Sequence, residues 1–319
     1  MSLFQEIRDA SRAVAERADF VRIDETTLKR YALALPALEM APKLDPSCHF
    51  LDHGADTAAF IVTLDTINFG SGWFPYLKKR PDLSGYFTVA SALTDLFRAE
   101  GPLTMSQLAH LRGADCARIF GQDPGNAIAC ELMERFATAL NDLGRLLIDS
   151  YRGSFTALIQ SAGNSAEQLV RLLSAMPFFD DVAEYRGDRV PFYKRAQITA
   201  ADLALAFDGH GLGRFDDLGE LTIFADNLVP HVLRMDGVLL YDPDLCARID
   251  REELIHPGSL EEVEIRAAAL HAVELMVAEL RRSGRPATAM SIDFLLWNRG
   301  QRPEYKFAKP RHRTRTVFY

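Results

Sequence analysis

The sequence predicts an all-α fold, a single helical domain spanning residues 1–319. Three observations carry this: two long apolar stripes at helical spacing, a capping box that opens one of them, and no alternation of strands and helices joined by glycine-rich turns. With 48% hydrophobic and 25% charged residues and a mean hydropathy of -0.06, the chain has the balance of a core-forming protein rather than of a disordered or fibrous one.

From the N-terminus, residues 2–18 predict a first short helix. Residues 59–73 are an apolar segment that delivers Asn68, Phe69 and Trp73 into a glycine-rich turn. After Pro124, the residues Ile128, Leu132, Phe136, Leu140, Leu143 and Leu147 make one apolar stripe running to Tyr151, and Gly153 ends it. Short helices are expected at 165–175, ahead of Pro177, and at 199–207 and 244–249. Gly209-His210-Gly211-Leu212-Gly213 reads as a loop, because it neither follows a strand nor carries the lysine of a phosphate-binding loop. The clearest helix begins at Ser259, where Ser259-Leu260-Glu261-Glu262 is a capping box ahead of Val263, Ala267, Leu270, Val273, Val277 and Leu280; Gly284 and Pro286 stop it.

The apolar runs break before the roughly 18 residues a membrane helix needs, and Met1 to Glu6 have neither the basic nor the apolar region of a secretory signal. A cytoplasmic chain with no membrane partner is the expectation. Cys48, Cys116, Cys130 and Cys246 are scattered without a CxxC pair or a histidine at ligand spacing, so reduced thiols are expected and no metal. No dinucleotide or Walker fingerprint occurs, and no cofactor is expected. The net charge of -8 is unevenly spread, since residues 298–319 hold seven Lys/Arg against one acid and the rest is more acidic still. An acidic body disfavours a broad duplex-binding face but allows a small anionic ligand. The basic segment 298–319 is either a nucleic-acid arm or, because it ends in Val317-Phe318-Tyr319, a segment docked on the domain.

Four segments concentrate the chemistry. In 59–73 the amide and two aromatics either line a pocket for a planar heterocycle or end a helix with Phe69 and Trp73 in the core. In 192–198 Lys194 and Arg195 either hold an anion near a helix start or form a solvated surface pair. In 221–230 Asp226 stands among apolar neighbours; burying a carboxylate costs several kcal/mol without partners, so this acid is either functional or a cap. In 262–266 Glu262, Glu264 and Arg266 occupy the first turns of the capped helix, where a Glu–Arg pair is either structural or orders another acid.

The segments LDTINF at 64–69, FYKRAQI at 192–198, LTIFADNLVP at 221–230 and EVEIRA at 262–267, in this order, resemble the queuosine salvage proteins, the queuosine 5'-phosphate N-glycosylases. SGYF at 84–87, RGSF at 152–155, NSA at 164–166 and the terminal tyrosine extend the likeness over most of the chain. The resemblance implies an all-α fold similar to the helix-hairpin-helix DNA glycosylases. It also implies hydrolysis of queuosine 5'-monophosphate to release queuine, with no direct tRNA or DNA partner.

Residue by residue, the resemblance implies Asp226 as the catalytic carboxylate, Lys194 as a 5'-phosphate ligand, and Asn68, Phe69 and Trp73 as part of the base pocket. It further implies substrate-binding roles for Asn227 and Arg266, and for His49 on the phosphate side, with His53 as a rival. The family often has Tyr-Arg where this chain has Asn227-Leu228, and the turn here carries the insertion Gly70-Ser71-Gly72. Such a reaction builds oxocarbenium character on the ribose, which a fixed carboxylate near C1' stabilises far more in a dry pocket than in water. Asp226 fits that place, as electrostatic stabiliser, nucleophile or base. The alternative is a non-catalytic module that binds queuine or a modified RNA.

Overall fold

The computed structural model describes residues 2–36 and 43–319. The chain is mostly helical, and its strands among the described residues are confined to two short antiparallel pairs. It forms two compact units, neither of them contiguous in sequence. The first comprises Met1–Pro42, Asp181–Lys194 and Gly219–Arg315, and the second Lys43–Asp180, Arg195–Leu218 and Thr316–Tyr319. No helix among the described residues is long and apolar enough to cross a membrane.

The first unit is built on the Leu260–Arg282 helix, started by the Ser259 hydroxyl, which accepts the Glu262 N–H at 3.4 Å; the Glu262 carboxylate reaches back to the Gly258 N–H at 3.1 Å instead of to Ser259, so one half of the expected capping box forms. The helices Leu3–Ala15, Glu25–Ala34, Leu228–Met235 and Ala289–Gly300 pack around it. Val263, Ile265 and Ala267 to Leu270 are therefore completely buried, as are the polar residues of the same turns, Glu262, Glu264 and Arg266. Those three need internal partners. Glu264 finds four: its carboxylate accepts the N–H groups of Asp19, Phe20 and Val21 at 3.1, 2.6 and 3.2 Å and the Tyr185 hydroxyl at 2.8 Å. It thereby fixes the start of the Val21–Ile23 strand, which pairs with Leu239–Tyr241. The other pair, Val182–Tyr185 with Asp188–Pro191, closes through Arg186-Gly187, both at positive φ (52° and 88°), as a two-residue hairpin turn that matches strand twist requires.

The second unit is organised by the Ala127–Tyr151 helix, whose predicted stripe is buried from Leu132 to Leu147. Arg152 and Gly153, both left-handed, end it. Gly144 lets the Met105–His110 helix come close, since a Cβ there would lie 2.6 Å from the Ala109 nitrogen. The Ala55–Thr66 helix packs against the long helix and is buried at every residue from Thr57 to Thr66, which is why the sequence there is apolar without a period.

Expected helices at 2–18, 165–175 and 244–249 appear as Leu3–Ala15, Ala166–Leu173 and Pro243–Asp250. Residues 209–213 form a loop that ends in a single 3-10 turn, Gly211–Gly213. The helix expected to begin at Thr199 begins at Lys194 instead and runs to Ala206, so the Lys194-Arg195 pair lies in its first turn.

Candidate active site

Of residues 221–233, Asp226 is the only one that is not buried. Its Oδ1 accepts the N–H groups of Leu228 and Val229 at 2.8 and 3.2 Å, which caps the Leu228–Met235 helix. Both bonds fall on one oxygen, and Oδ2 makes no hydrogen bond to a described residue. The acid is thus both a cap and a partly exposed carboxylate with one oxygen left for other work.

Behind this loop stands Asp293, 3% exposed on the Ala289–Gly300 helix, whose Oδ1 accepts the Phe224 N–H at 3.0 Å. Burial pushes its carboxyl well above the usual range and the Asp226 charge adds to this, while the Phe224 N–H and the Lys194 charge oppose. Burial and the neighbouring Asp226 charge thus both favour the neutral form of Asp293. The basic C-terminal segment supplies a cation to the same cluster: burial lowers the Arg311 guanidinium and the Asp226 charge opposes that. The segment is tied down in this unit, with Ile255 N–H donating to the Arg313 carbonyl at 2.8 Å and the Asn227 amide donating to the His312 carbonyl at 3.3 Å.

Arg266 joins the remaining pieces. It donates through Nε to the Ala225 carbonyl at 3.0 Å and grips both oxygens of Asp181 at 3.0 and 2.7 Å, with the Phe192 ring 4.0 Å from its guanidinium carbon. Glu262 lies 3.7 Å from the same guanidinium. Asp181 Oδ2 in turn accepts the Lys194 N–H at 3.0 Å, and the Asp181 carbonyl accepts from Phe192 and Tyr193 at 2.9 and 3.2 Å. This cap reaches the first turn from thirteen residues upstream, and Tyr193 enters it at a positive φ of 49°. Lys194 itself is 5% exposed, so a solvated surface pair is excluded.

The second unit holds the other expected residues. His49 is buried, its Nδ1–H donating to the Asp45 carbonyl at 2.8 Å and its Nε2 accepting the Tyr86 hydroxyl at 3.0 Å. Burial lowers its pKa, so the ring is neutral. His53 is exposed and stacks on Phe50 at 4.0 Å. Asn68 follows the Ala55–Thr66 helix and donates to Asp65 Oδ1 at 3.3 Å. Phe69 is buried edge-on to Phe136 at 5.2 Å. Trp73 is buried too, and its indole N–H has no hydrogen-bond partner among the described residues. Arg195, 1% exposed, donates to the Asp65, Thr66 and Phe178 carbonyls between the rings of Phe69 and Phe179. It caps the C-terminal end of the Ala55–Thr66 helix just before Asn68.

Within the first unit, then, Asp226, Lys194 and Arg266 fall into one network, linked through Asp181, Asp293 and the backbone of 224–225, while the Asn227 amide is turned to the His312 carbonyl. Asp181, Asp293 and Arg311 escaped the sequence. Asp293 alone left a signal there, a single acid inside the apolar run 292–296.

The family profile described as queuosine salvage protein matches residues 48–319. A Sphaerobacter thermophilus protein is 41% identical over 318 residues, covering 97% of this chain and 96% of its own length. A Mus musculus protein is 31% identical with 98% of each chain covered, and a Dictyostelium discoideum protein is 37% identical over 82% of this chain and 78% of its own. All three are named queuosine 5'-phosphate N-glycosylase/hydrolase. This chain belongs to the queuosine salvage protein family.

Proposed function

We propose that this chain is a queuosine 5'-phosphate N-glycosylase/hydrolase, which splits the N-glycosidic bond of queuosine 5'-monophosphate with water to give queuine and ribose 5-phosphate. Near-complete coverage of relatives so named supports this. The observation that carries the chemistry is Asp226, the one residue of the buried stretch 221–233 that reaches the surface, with both of its hydrogen bonds to described residues on Oδ1.

In the proposed reaction the C1'–N bond breaks with its electron pair leaving on the base, and water adds to C1'. Asp226 opposes the positive charge that builds on the ribose, and the buried shell around it keeps that field strong. A 7-deazaguanine has carbon where guanine has N7, so its departure depends on donors to its other edges. The Asn68 amide and the Trp73 indole N–H are the proposed donors, with Phe69 as apolar wall. Lys194 is the proposed 5'-phosphate ligand, Asn227 borders the site, and His49 acts through the Tyr86 hydroxyl that it orients.

The proposed functional domain spans 1–319, cytoplasmic and related in architecture to the helix-hairpin-helix DNA glycosylases, with 298–319 docked on it. Its partner is a small nucleotide, with no direct tRNA or DNA binding, because the basic segment is engaged by its own unit.

The test is to incubate chelator-treated protein with queuosine 5'-monophosphate and follow queuine by mass spectrometry, with Asp226→Asn in parallel. Release by the wild type and not by the variant is expected. Tight queuine binding without release would leave a carrier, and strong salt-dependent tRNA binding without release an RNA-binding module.

A further inference from the structure

The Asp181–Arg266 pair lies at the join between the two chain segments that bear the proposed functional groups. On one side Arg266 Nε holds the Ala225 carbonyl at 3.0 Å, one residue before Asp226. On the other, Asp181 Oδ2 carries the Lys194 N–H at 3.0 Å while also accepting Arg266 at 2.7 Å. Both partners are nearly inaccessible, with side chains 2% and 3% exposed. The guanidinium is planar and its donors diverge in a fixed fork, so one rigid group sets the spacing of two backbone points that are otherwise far apart in sequence. A lysine could reach one of these acceptors but could not hold three in a plane.

We propose that Arg266 is a positioning residue, which sets the catalytic loop through Ala225 and the phosphate-binding turn through Asp181, so that Asp226 and Lys194 are held at the spacing of the ribose C1' and its 5'-phosphate. This rests on the roles proposed above for Asp226 and Lys194. Arg266 itself touches no substrate in this scheme. Its two arms affect different steps: a loosened Ala225 costs turnover, and a loosened Asp181 costs affinity for the phosphorylated half of the substrate.

The experiment is steady-state hydrolysis of queuosine 5'-monophosphate, together with the inhibition constant of ribose 5-phosphate, in wild type, Arg266→Lys, Lys194→Ala and the Arg266→Lys/Lys194→Ala double variant. Arg266→Lys is expected to lower kcat about tenfold and to weaken inhibition by ribose 5-phosphate about tenfold. In the Lys194→Ala background it should still lower kcat but should weaken inhibition no further, because the arm through Asp181 then has nothing to position. A purely structural role reduces the amount of active protein, which lowers apparent kcat and leaves an inhibition constant untouched.

If Arg266→Lys does not fold, Asp181→Asn combined with Arg266→Gln replaces the ion pair by a neutral amide pair, while Glu262, which loses its guanidinium neighbour, keeps the Gly258 N–H at 3.1 Å. The same two losses are expected from it. An unchanged inhibition constant in a folded variant overturns the positioning role while the hydrolase assignment stands. No queuine from the wild type overturns the hydrolase assignment itself, and the positioning role with it.

Discussion

Asp293 accepts the Phe224 N–H at 3.0 Å from within the Ala289–Gly300 helix and so pins the backbone two residues before Asp226. Burial raises its carboxyl well above the ordinary range, and the Asp226 charge adds to that. An acid whose folded pKa is raised gives full stability below its unfolded value near 3.8 and loses it as pH rises from there through the folded value. At pH 7 the unfolded chain therefore gains an ionisation that the folded chain resists. Asp293→Asn keeps the acceptor for Phe224 and has no proton to lose. It should be more stable than wild type at pH 7, by on the order of 1 kcal/mol or more, and the advantage should vanish toward pH 4. Urea unfolding midpoints across that range measure this; a variant less stable than wild type at pH 7 would mean that Asp293 is ionised in the fold.

Asp226 has a second duty that any substitution must respect, because it caps Leu228 and Val229. Asparagine caps about as well as aspartate, whereas alanine loses roughly 1 kcal/mol of helix stability. Asp226→Asn should therefore fold as wild type does and bind queuine, yet turn over about a thousandfold more slowly or less, since the charge opposite C1' is gone. Asp226→Ala should show the same kinetic loss plus a lower unfolding midpoint. Turnover by the asparagine variant within tenfold of wild type would move the catalytic role elsewhere.

Lys194 is buried, and its charge is felt at Asp293. One charge-assisted contact to phosphate is worth about 1.5 to 3 kcal/mol, or roughly tenfold to a hundredfold in affinity. Lys194→Ala should lose that factor in kcat/KM for queuosine 5'-monophosphate and much less for the nucleoside. Equal losses on both substrates count against the phosphate contact.

Asp226 is legible in the sequence because a lone carboxylate breaks an apolar run, and the Ser259 helix because its cap and stripe are local. Asp293 carries the same kind of signal, but a helical acid among apolar residues does not say what faces it. The start of the Lys194–Ala206 helix is illegible for a different reason. Its cap is Asp181, thirteen residues upstream across a hairpin, and Tyr193 takes a left-handed conformation that no glycine announces. The buried Ala55–Thr66 helix has no polar face, so periodicity cannot reveal it. Arg266 shows only half its function in sequence: the helical i, i+4 pairing with Glu262 is visible, and the shorter bonds to Asp181 and Ala225 are tertiary.

The motif that holds Arg266 also holds Glu264, and the two separate cleanly by what they contact. Glu264 serves three backbone N–H groups and the Tyr185 hydroxyl, all in the framework and none in the 224–228 loop. Glu264→Gln replaces one acceptor oxygen by an amide that can only donate, which leaves at least one buried donor unsatisfied at a cost of about 1–3 kcal/mol. The expected outcome is a lower urea midpoint with kcat and KM of the folded enzyme within about twofold of wild type. Arg266→Lys should show the converse, kinetic constants that move further than stability alone accounts for. A Glu264→Gln enzyme that is stable but slow would mean that the Val21–Ile23 strand, not only the Asp181–Arg266 pair, bears on the geometry at Asp226.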